Sequence, residues 1–335
     1  MHMAALTVLI LGVWAIIYHS EAQNLPKILE RSSSHYNSIS EDLTIFEYGK
    51  FEVTKPIKVE KIEFYAPEPL LVVSPKFQWR YVIVDIIFLF FFLTQLFSII
   101  YFPSQEDEIE MAASIANWLP TNLQDVLQTR VNEGADGTIY KLAISGHSRG
   151  GKSAFTLALG FSKTKLSVKI SSLIGIDPVA GSSKNDRTQP YVLTYVPSSF
   201  NLSIPVTIIG TGFGNQSNFF LQPCAPNLVN YQQFFDECKE GSHFVITDYG
   251  HMKMLNDFVY DPVASAVSLV CKSGSGLKST MRRTLGGIMV AFLDAYFGDE
   301  KGQYLAILAN PSLAPTNLYV QNKGNFRLPG NYDPV

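Results

Sequence analysis

Charged residues are scarce in this chain, since Asp, Glu, Lys and Arg make up only 16% of its 335 residues. The formal net charge is −3 and no basic block is present, which argues against a nucleic-acid partner. Hydrophobic residues reach 47% and the mean hydropathy is +0.11. The chain can therefore bury a sizeable core, and contact with lipid or an apolar ligand is expected.

Cysteine is also scarce. Cys224, Cys238 and Cys271 form no C-x-x-C pair and are not interleaved with histidines, so a structural zinc site is not expected. Cys224 and Cys238 flank one loop-like stretch and would form a disulfide in an oxidising compartment. Burial as free thiols is the alternative interpretation and the favoured one.

A short apolar run occupies residues 4–17 near the start of the chain. It is shorter than the ~20 apolar residues that a membrane span needs. Its length is typical of a signal peptide, although the usual basic n-region is absent. Residues 1–22 are therefore interpreted as a hydrophobic leader, which would favour the secretory route. The polar, Ser-rich residues 23–44 are predicted to be poorly ordered.

A second apolar segment, residues 81–104, contains Asp85 as its one charged residue. Its length approaches that of a membrane span. A buried strand that runs into an unusual apolar stretch is the competing interpretation. The segment is treated as an atypical insert in a domain that covers residues 45–335.

Strand and helix patterns alternate along that domain. Such alternation predicts an α/β fold with a mostly parallel sheet covered by helices on both faces. Predicted strands cover residues 45–53, 55–65, 69–74, 141–145, 168–176, 204–209 and 243–247, and predicted helices begin at residue 105 and cover residues 152–160 and 281–297.

The motif Gly146-His147-Ser148-Arg149-Gly150 directly follows an apolar strand and directly precedes a helix. This strand, turn and helix setting is the one in which Gly-x-Ser-x-Gly holds a nucleophilic serine. The glycines leave room for a strained turn, and the helix N-terminus offers N–H groups to an oxyanion. We predict Ser148 as the nucleophile.

A serine nucleophile needs a histidine base at the same edge of the sheet, where the parallel strands end. His251 follows the last predicted strand and meets this requirement. His243 begins that strand and is expected at the opposite edge, and His147, inside the turn, is expected to point elsewhere. His251 is therefore predicted as the base.

The orienting acid follows from the same geometry. The strand at residues 204–209 is followed by a loop without a carboxylate, whereas the strand before it is followed directly by Asp177. Asp177 is the predicted acid, with a turn-initiating aspartate before proline as its alternative interpretation. Asp248, close to His251 in the sequence, is the reserve candidate.

Several segments together resemble plant chlorophyllase, a member of the α/β-hydrolase superfamily. They are GHSRGGKSAF at residues 146–155, GIDPVAG at 175–181, CAPN at 224–227, YGHMKML at 249–255 and FEYGKF at 46–51. The resemblance covers residues from about 45 to 75 and from about 105 to the end.

The resemblance implies a serine hydrolase of chlorophyll catabolism that cleaves the phytyl ester of chlorophyll to chlorophyllide and phytol. Ser148, His251 and Asp177 would form the catalytic triad, and the Arg149 N–H would donate to the oxyanion. Chlorophyll or a related phytylated tetrapyrrole would be the substrate, with peripheral membrane contact. No cofactor or metal is implied, and the implied location is the chloroplast.

Residues 81–104 depart from the family pattern. Family members have an apolar strand, a His-Gly loop, a helix and another strand in this region, and the loop provides the second oxyanion N–H. The insert is shorter and contains no His-Gly. The second donor is therefore unknown, and a sheet without one central strand is expected. A catalytically impaired relative that binds tetrapyrrole or membrane, or a general lipase or esterase, are the alternative functions.

Overall fold

The computed structural model describes most of the chain from residue 105 onward and short pieces before it. The described residues are 6–11, 44–46, 57–59, 70–73, 81–86, 105–130, 137–218, 222–255, 270–298 and 300–324. Most of the leader at 1–22, nearly all of the polar segment at 23–44 and residues 87–104 of the apolar insert lie outside them.

Nine strands of the described residues form one sheet, in the order β11-β10-β9-β6-β5-β1-β4-β3-β2. Strands β4, β1, β5, β6, β9 and β10 run parallel to one another. Strand β3 is antiparallel to both β4 and the edge strand β2, and the other edge strand, β11, is antiparallel to β10. The strands are β1 Leu6–Leu11, β2 Ile57–Val59, β3 Leu70–Val73, β4 Tyr81–Ile86, β5 Leu142–His147, β6 Ile170–Ile176, β7 Gly181–Ser183, β8 Asp186–Arg187, β9 Val206–Thr211, β10 Gly241–Ile246 and β11 Leu318–Lys323. Strands β7 and β8 form a separate hairpin. The α/β class with a mostly parallel sheet is confirmed.

Helices cover both faces of the sheet, and the sheet divides the buried core into two clusters. On one face α1 Gln105–Arg130, α2 Arg149–Ala158 and α3 Tyr231–Glu237 pack on β5, β6 and β9. On the other face lie α4 Lys278–Phe297 and α5 Gly302–Ala309. Short 3-10 helices occupy Thr44–Phe46 and Pro311–Leu313. Strands β5 and β9 are buried along their whole length, as strands covered on both faces must be.

The sheet position beside β5, where a strand was expected to be missing, is filled by β1. Leu6–Leu11 runs parallel to both β4 and β5, with Leu9 opposite Val84 on one side and Ile144 on the other. A six-residue run of Leu, Ile, Val and Thr suits a doubly covered parallel strand as well as it suits a leader core. The interpretation of residues 1–22 as a leader therefore stays a prediction, with part of that segment in the sheet.

The apolar insert begins as a strand rather than as a helix. Tyr81–Ile86 forms β4, which pairs with β3 on its other side. Among the residues that the structure describes, no helix combines the length and the apolarity that crossing a bilayer requires.

One expectation about local structure was wrong, and one strand was not predicted. Residues 45 and 46, the only described part of the strand predicted at 45–53, belong to a 3-10 helix, Thr44–Phe46, that packs on α4. Leu318–Lys323 forms the edge strand β11, which was not predicted from the sequence because none of its residues is fully buried.

The cysteine pairing also differs from both interpretations. Cys224 is joined to Cys271 by a disulfide with a Cα–Cα distance of 5.6 Å, and Cys238 is a buried free thiol. The partner is 47 residues away in the sequence, and a connectivity of this kind cannot be deduced from spacing alone.

Candidate active site

The turn between β5 and α2 holds Ser148 in a conformation that few residues other than glycine adopt. Its φ is 57° and its ψ is −124°. The Ser148 N–H donates to the Ile176 carbonyl at 3.0 Å, and the Lys152 and Val179 N–H groups donate to the Ser148 carbonyl. A Cβ at Gly151 would lie 2.8 Å from the Gly146 carbonyl oxygen. Backbone bonds and a close approach therefore maintain the strained turn that exposes the serine hydroxyl.

An unbroken chain of hydrogen bonds joins Ser148, His251 and Asp177. His251 Nε2 lies 2.8 Å from Ser148 Oγ, and its Nδ1 lies 2.8 Å from Asp177 Oδ2. Because a carboxylate only accepts, Nδ1 carries the proton and Nε2 is left to accept from the serine hydroxyl. His251 and Asp177 are buried, at 3% and 0% exposure. The structure thus brings together the three residues that strand-end reasoning selected.

Asp177 is fixed by its backbone and by a threonine that sequence reasoning missed. Its φ is 40°, and its N–H donates to the Ile209 carbonyl at 2.6 Å. The Thr211 hydroxyl donates to Oδ2 at 2.5 Å, whereas Oδ1 accepts no hydrogen bond from any residue that the structure describes. Thr211 ends β9, the neighbour of β6, so the available signal was a hydroxyl residue at that strand's carboxyl end.

The other acid and histidine candidates lie in different surroundings. The reserve candidate Asp248 accepts from Asn317 Nδ2 at 2.6 Å and from the Thr247 hydroxyl. His243 is buried in β10 beside the rings of Tyr231 and Phe235, and burial lowers its pKa to about 4.

His147 was expected to point away from the site, but it lies beside the predicted base. Its ring centroid lies 4.4 Å from that of His251.

The first turn of α1 braces the helix that follows the nucleophile. Glu108, which is buried, forms an ion pair with Arg149, with 2.9 Å between Oε2 and the guanidinium Nε. Gln105 donates to the Arg149 carbonyl and accepts from the Lys152 ammonium at 2.8 Å. Lys152 also donates to the carbonyl and hydroxyl of Thr188. The residues directly after the apolar insert therefore contact the nucleophile turn.

The start of α2 provides the expected environment for an oxyanion. Arg149 is the first residue of α2, so its N–H belongs to the first turn, whose N–H groups point out of the helix end. In a fold of this kind the second donor comes from the loop after the strand beside β5. That strand is β1, and the residues after Leu11 lie outside the described part of the chain. The second donor therefore stays unassigned.

The disulfide joins two segments that lie close to the candidate acid and the candidate base. Cys224 lies next to Ala225, whose N–H donates to Gly214, and a Cβ at Gly214 would approach Asp177 Oδ2 to 3.1 Å. Cys271 lies near Ser273, whose carbonyl accepts from Gly250, the residue before His251. The bond thus joins the loop beside the acid to the segment beside the base.

Taken together, the geometry is suited to acyl transfer. A hydroxyl nucleophile is hydrogen-bonded to an imidazole, the imidazole is oriented by a buried carboxylate, and a helix N-terminus lies beside the hydroxyl. These are the parts that serine hydrolases combine on several unrelated folds.

Comparison with known proteins identifies the family. The profile of the family described as chlorophyllase matches residues 89–324. Chlorophyllase type 0 of Chenopodium album is 52% identical, over 98% of this chain and 99% of that protein. Chlorophyllase-1 of Arabidopsis thaliana is 46% identical, over 64% of this chain and 66% of that protein. Chloroplastic chlorophyllase-1 of Citrus unshiu is 41% identical, over 67% of this chain and 65% of that protein. The chain belongs to the chlorophyllase family, and its mostly parallel sheet flanked by helices is the α/β-hydrolase fold of that family.

Proposed function

We propose that this protein hydrolyses the phytyl ester of chlorophyll through a covalent intermediate on Ser148. The observation that carries the proposal is the hydrogen-bond chain from Ser148 Oγ through His251 to Asp177, with 2.8 Å at each His251 contact. The substrate class is supported by the family and by the relatives, which are named chlorophyllases. The products are chlorophyllide and free phytol.

In the first half of the reaction the ester is exchanged for an acyl-enzyme. His251 Nε2 accepts the Ser148 proton while Oγ attacks the ester carbonyl carbon of the propionate side chain. Negative charge develops on the carbonyl oxygen, where the Arg149 N–H donates to it. When the tetrahedral intermediate collapses, the bond to the phytol oxygen breaks and His251 returns the proton to that oxygen.

Water completes the reaction by the same route. His251 takes a proton from water, the hydroxide attacks the acyl carbon, and the bond to Ser148 Oγ breaks as Oγ regains the proton. Asp177 keeps the Nδ1–H of His251 directed at its own carboxylate and stabilises the positive charge that forms on the ring. Asp177 does not itself take up the proton.

The proposal is tested with purified wild type and Ser148→Ala in a chlorophyll hydrolysis assay, with extraction separating chlorophyllide from chlorophyll. Ser167→Ala is the matched control, because Ser167 is exposed and its hydroxyl contacts Asn117 rather than the triad. We expect Ser148→Ala to lose activity by about 10⁴-fold or more and Ser167→Ala to retain it. Equal activity in wild type and Ser148→Ala would refute the proposal. Turnover of short p-nitrophenyl esters with none on chlorophyll would instead support a general esterase.

We propose the chloroplast as the location and peripheral contact with its membranes as the route to chlorophyll. Two relatives from Citrus species carry the word chloroplastic in their names, and the proposed substrate is a lipid. A fluorescent fusion at the C terminus, imaged in leaf cells against chlorophyll emission, tests this. Signal in the endoplasmic reticulum or vacuole would support the secretory alternative.

A further inference from the structure

His147 is a buried histidine in contact with the proposed base. It ends β5 directly before Ser148 and is 4% exposed. Its Nε2 lies 3.1 Å from the backbone carbonyl oxygen of His251, and the two ring centroids are 4.4 Å apart at an interplanar angle of 33°. One side chain thus contacts both the backbone and the ring of the residue that must receive the proton of Ser148.

The hydrogen bond shows which ring nitrogen of His147 carries a hydrogen. A carbonyl oxygen can only accept, so Nε2 must carry the hydrogen. Burial lowers the pKa of His147 well below its usual range, and the neighbouring His251 lowers it further. His147 is therefore neutral with its hydrogen on Nε2. A neutral ring does not repel the imidazolium that forms on His251 during the reaction, whereas a charged ring at this distance would.

We propose that His147 is a positioning residue for the proposed triad. Its hydrogen bond holds the His251 backbone where the Nε2 of His251 lies within hydrogen-bond distance of Ser148 Oγ. The elements on either side explain why such a tie is needed. Ser148 is fixed by the β5–α2 turn, whereas His251 lies in a loop after β10, and β5 and β10 are separated in the sheet by β6 and β9. The bond from His147 joins these two parts of the site within one residue of the nucleophile. The positioning role rests on the proposed function, because it concerns His251 as the base of the proposed mechanism.

The test compares His147→Gln and His147→Met, two side chains of similar length of which only Gln can donate to the His251 carbonyl. Met is an adaptable core residue and is expected to fold. A displacement of about 1 Å at a reacting group costs on the order of 10²-fold. We therefore expect His147→Met to lose about 10- to 100-fold in kcat on chlorophyll with KM unchanged, and His147→Gln to recover to within about fivefold of wild type.

His243→Met is the control, because His243 is another buried histidine of the same sheet, in β10, which β9 and β6 separate from β5. We expect it to leave kcat unchanged, because neither ring nitrogen of His243 is hydrogen-bonded to any residue that the structure describes. If His147→Met lowers kcat no more than His243→Met does, His147 is merely structural and the proposal is wrong. It is equally wrong if His147→Gln is as slow as His147→Met.

A separate readout distinguishes failure of this proposal from failure of the proposed function. The rate at which a fluorophosphonate labels wild type reports serine activation independently of chlorophyll. If wild type is labelled and active but the two His147 variants match it, only the positioning role fails. If wild type is neither labelled nor active on chlorophyll, the proposed function fails with it.

Discussion

Replacing Thr211 with Val removes one of the two hydrogen bonds that the described residues donate to the Asp177 carboxylate. Both residues are fully buried, and the hydroxyl lies 2.5 Å from the same oxygen that accepts from His251. Val keeps the shape of Thr and loses only the donor. A hydrogen bond to a charged group contributes about 1.5–3 kcal/mol, and about 1.4 kcal/mol corresponds to a tenfold change in rate.

The expected loss of kcat depends on the stage of the reaction at which the hydrogen bond from Thr211 to Asp177 contributes most. The positive charge on His251 forms only as Ser148 attacks, so loss of orientation at Asp177 is felt mainly in the transition state. We expect Thr211→Val to lower kcat on chlorophyll by roughly 10- to 100-fold with KM unchanged. Thr211→Ser, which keeps the hydroxyl, should recover most of the loss.

The assay is steady-state hydrolysis of chlorophyll in detergent, with Tm measured for each variant. A kcat for Thr211→Val within twofold of wild type would show that the bond does not orient Asp177 for catalysis. The same conclusion would follow if Thr211→Ser were no better than Thr211→Val.

Three further outcomes are expected. Asp177→Asn should lower kcat by about 10⁴-fold, the loss known for the Ser-His-Asp triad of another enzyme, and a loss below tenfold would count against the assignment. Burial lowers the pKa of Lys152 to about 7, below its value in the unfolded chain, so protonation favours unfolding. Urea titrations give the free energy of unfolding of wild type and of Lys152→Met, and the difference between the two is compared across pH. This difference should rise between pH 7 and pH 10, by up to about 1.4 kcal/mol per pH unit. A difference that does not change with pH would contradict the lowered pKa. Cys271→Ser opens a closed loop of 47 residues and should lower stability by up to about 4 kcal/mol, measured as a fall in Tm that a reducing agent reproduces in wild type.

The candidate triad could be found from the sequence because each member directly follows a recognisable strand. Ser148, Asp177 and His251 come one to five residues after β5, β6 and β10. The carboxyl ends of parallel strands share one edge of a sheet, so knowledge of strand positions was sufficient.

The supporting residues could not be found in this way. Thr211 meets Asp177 because β9 is the neighbour of β6, and His147 meets His251 because the loop after β10 folds back over the end of β5. Both contacts depend on strand order and loop path, which periodicity does not encode.

The N-terminal strand and the disulfide escaped prediction for related reasons. Leu6–Leu11 is apolar throughout, so its sequence alone does not distinguish the core of a leader from a strand covered on both faces. Cys224 is closer in sequence to Cys238, yet its partner is Cys271 because the loops beside the acid and the base meet in space.

The measurement that tests the account most directly is the mapping of a fluorophosphonate adduct by peptide mass spectrometry, in parallel with chlorophyll hydrolysis. The account predicts one adduct per chain, located on Ser148, with hydrolysis lost in proportion to labelling, and no adduct in Ser148→Ala. Complete inactivation with the adduct on another residue, or full activity in a chain labelled at Ser148, would contradict it.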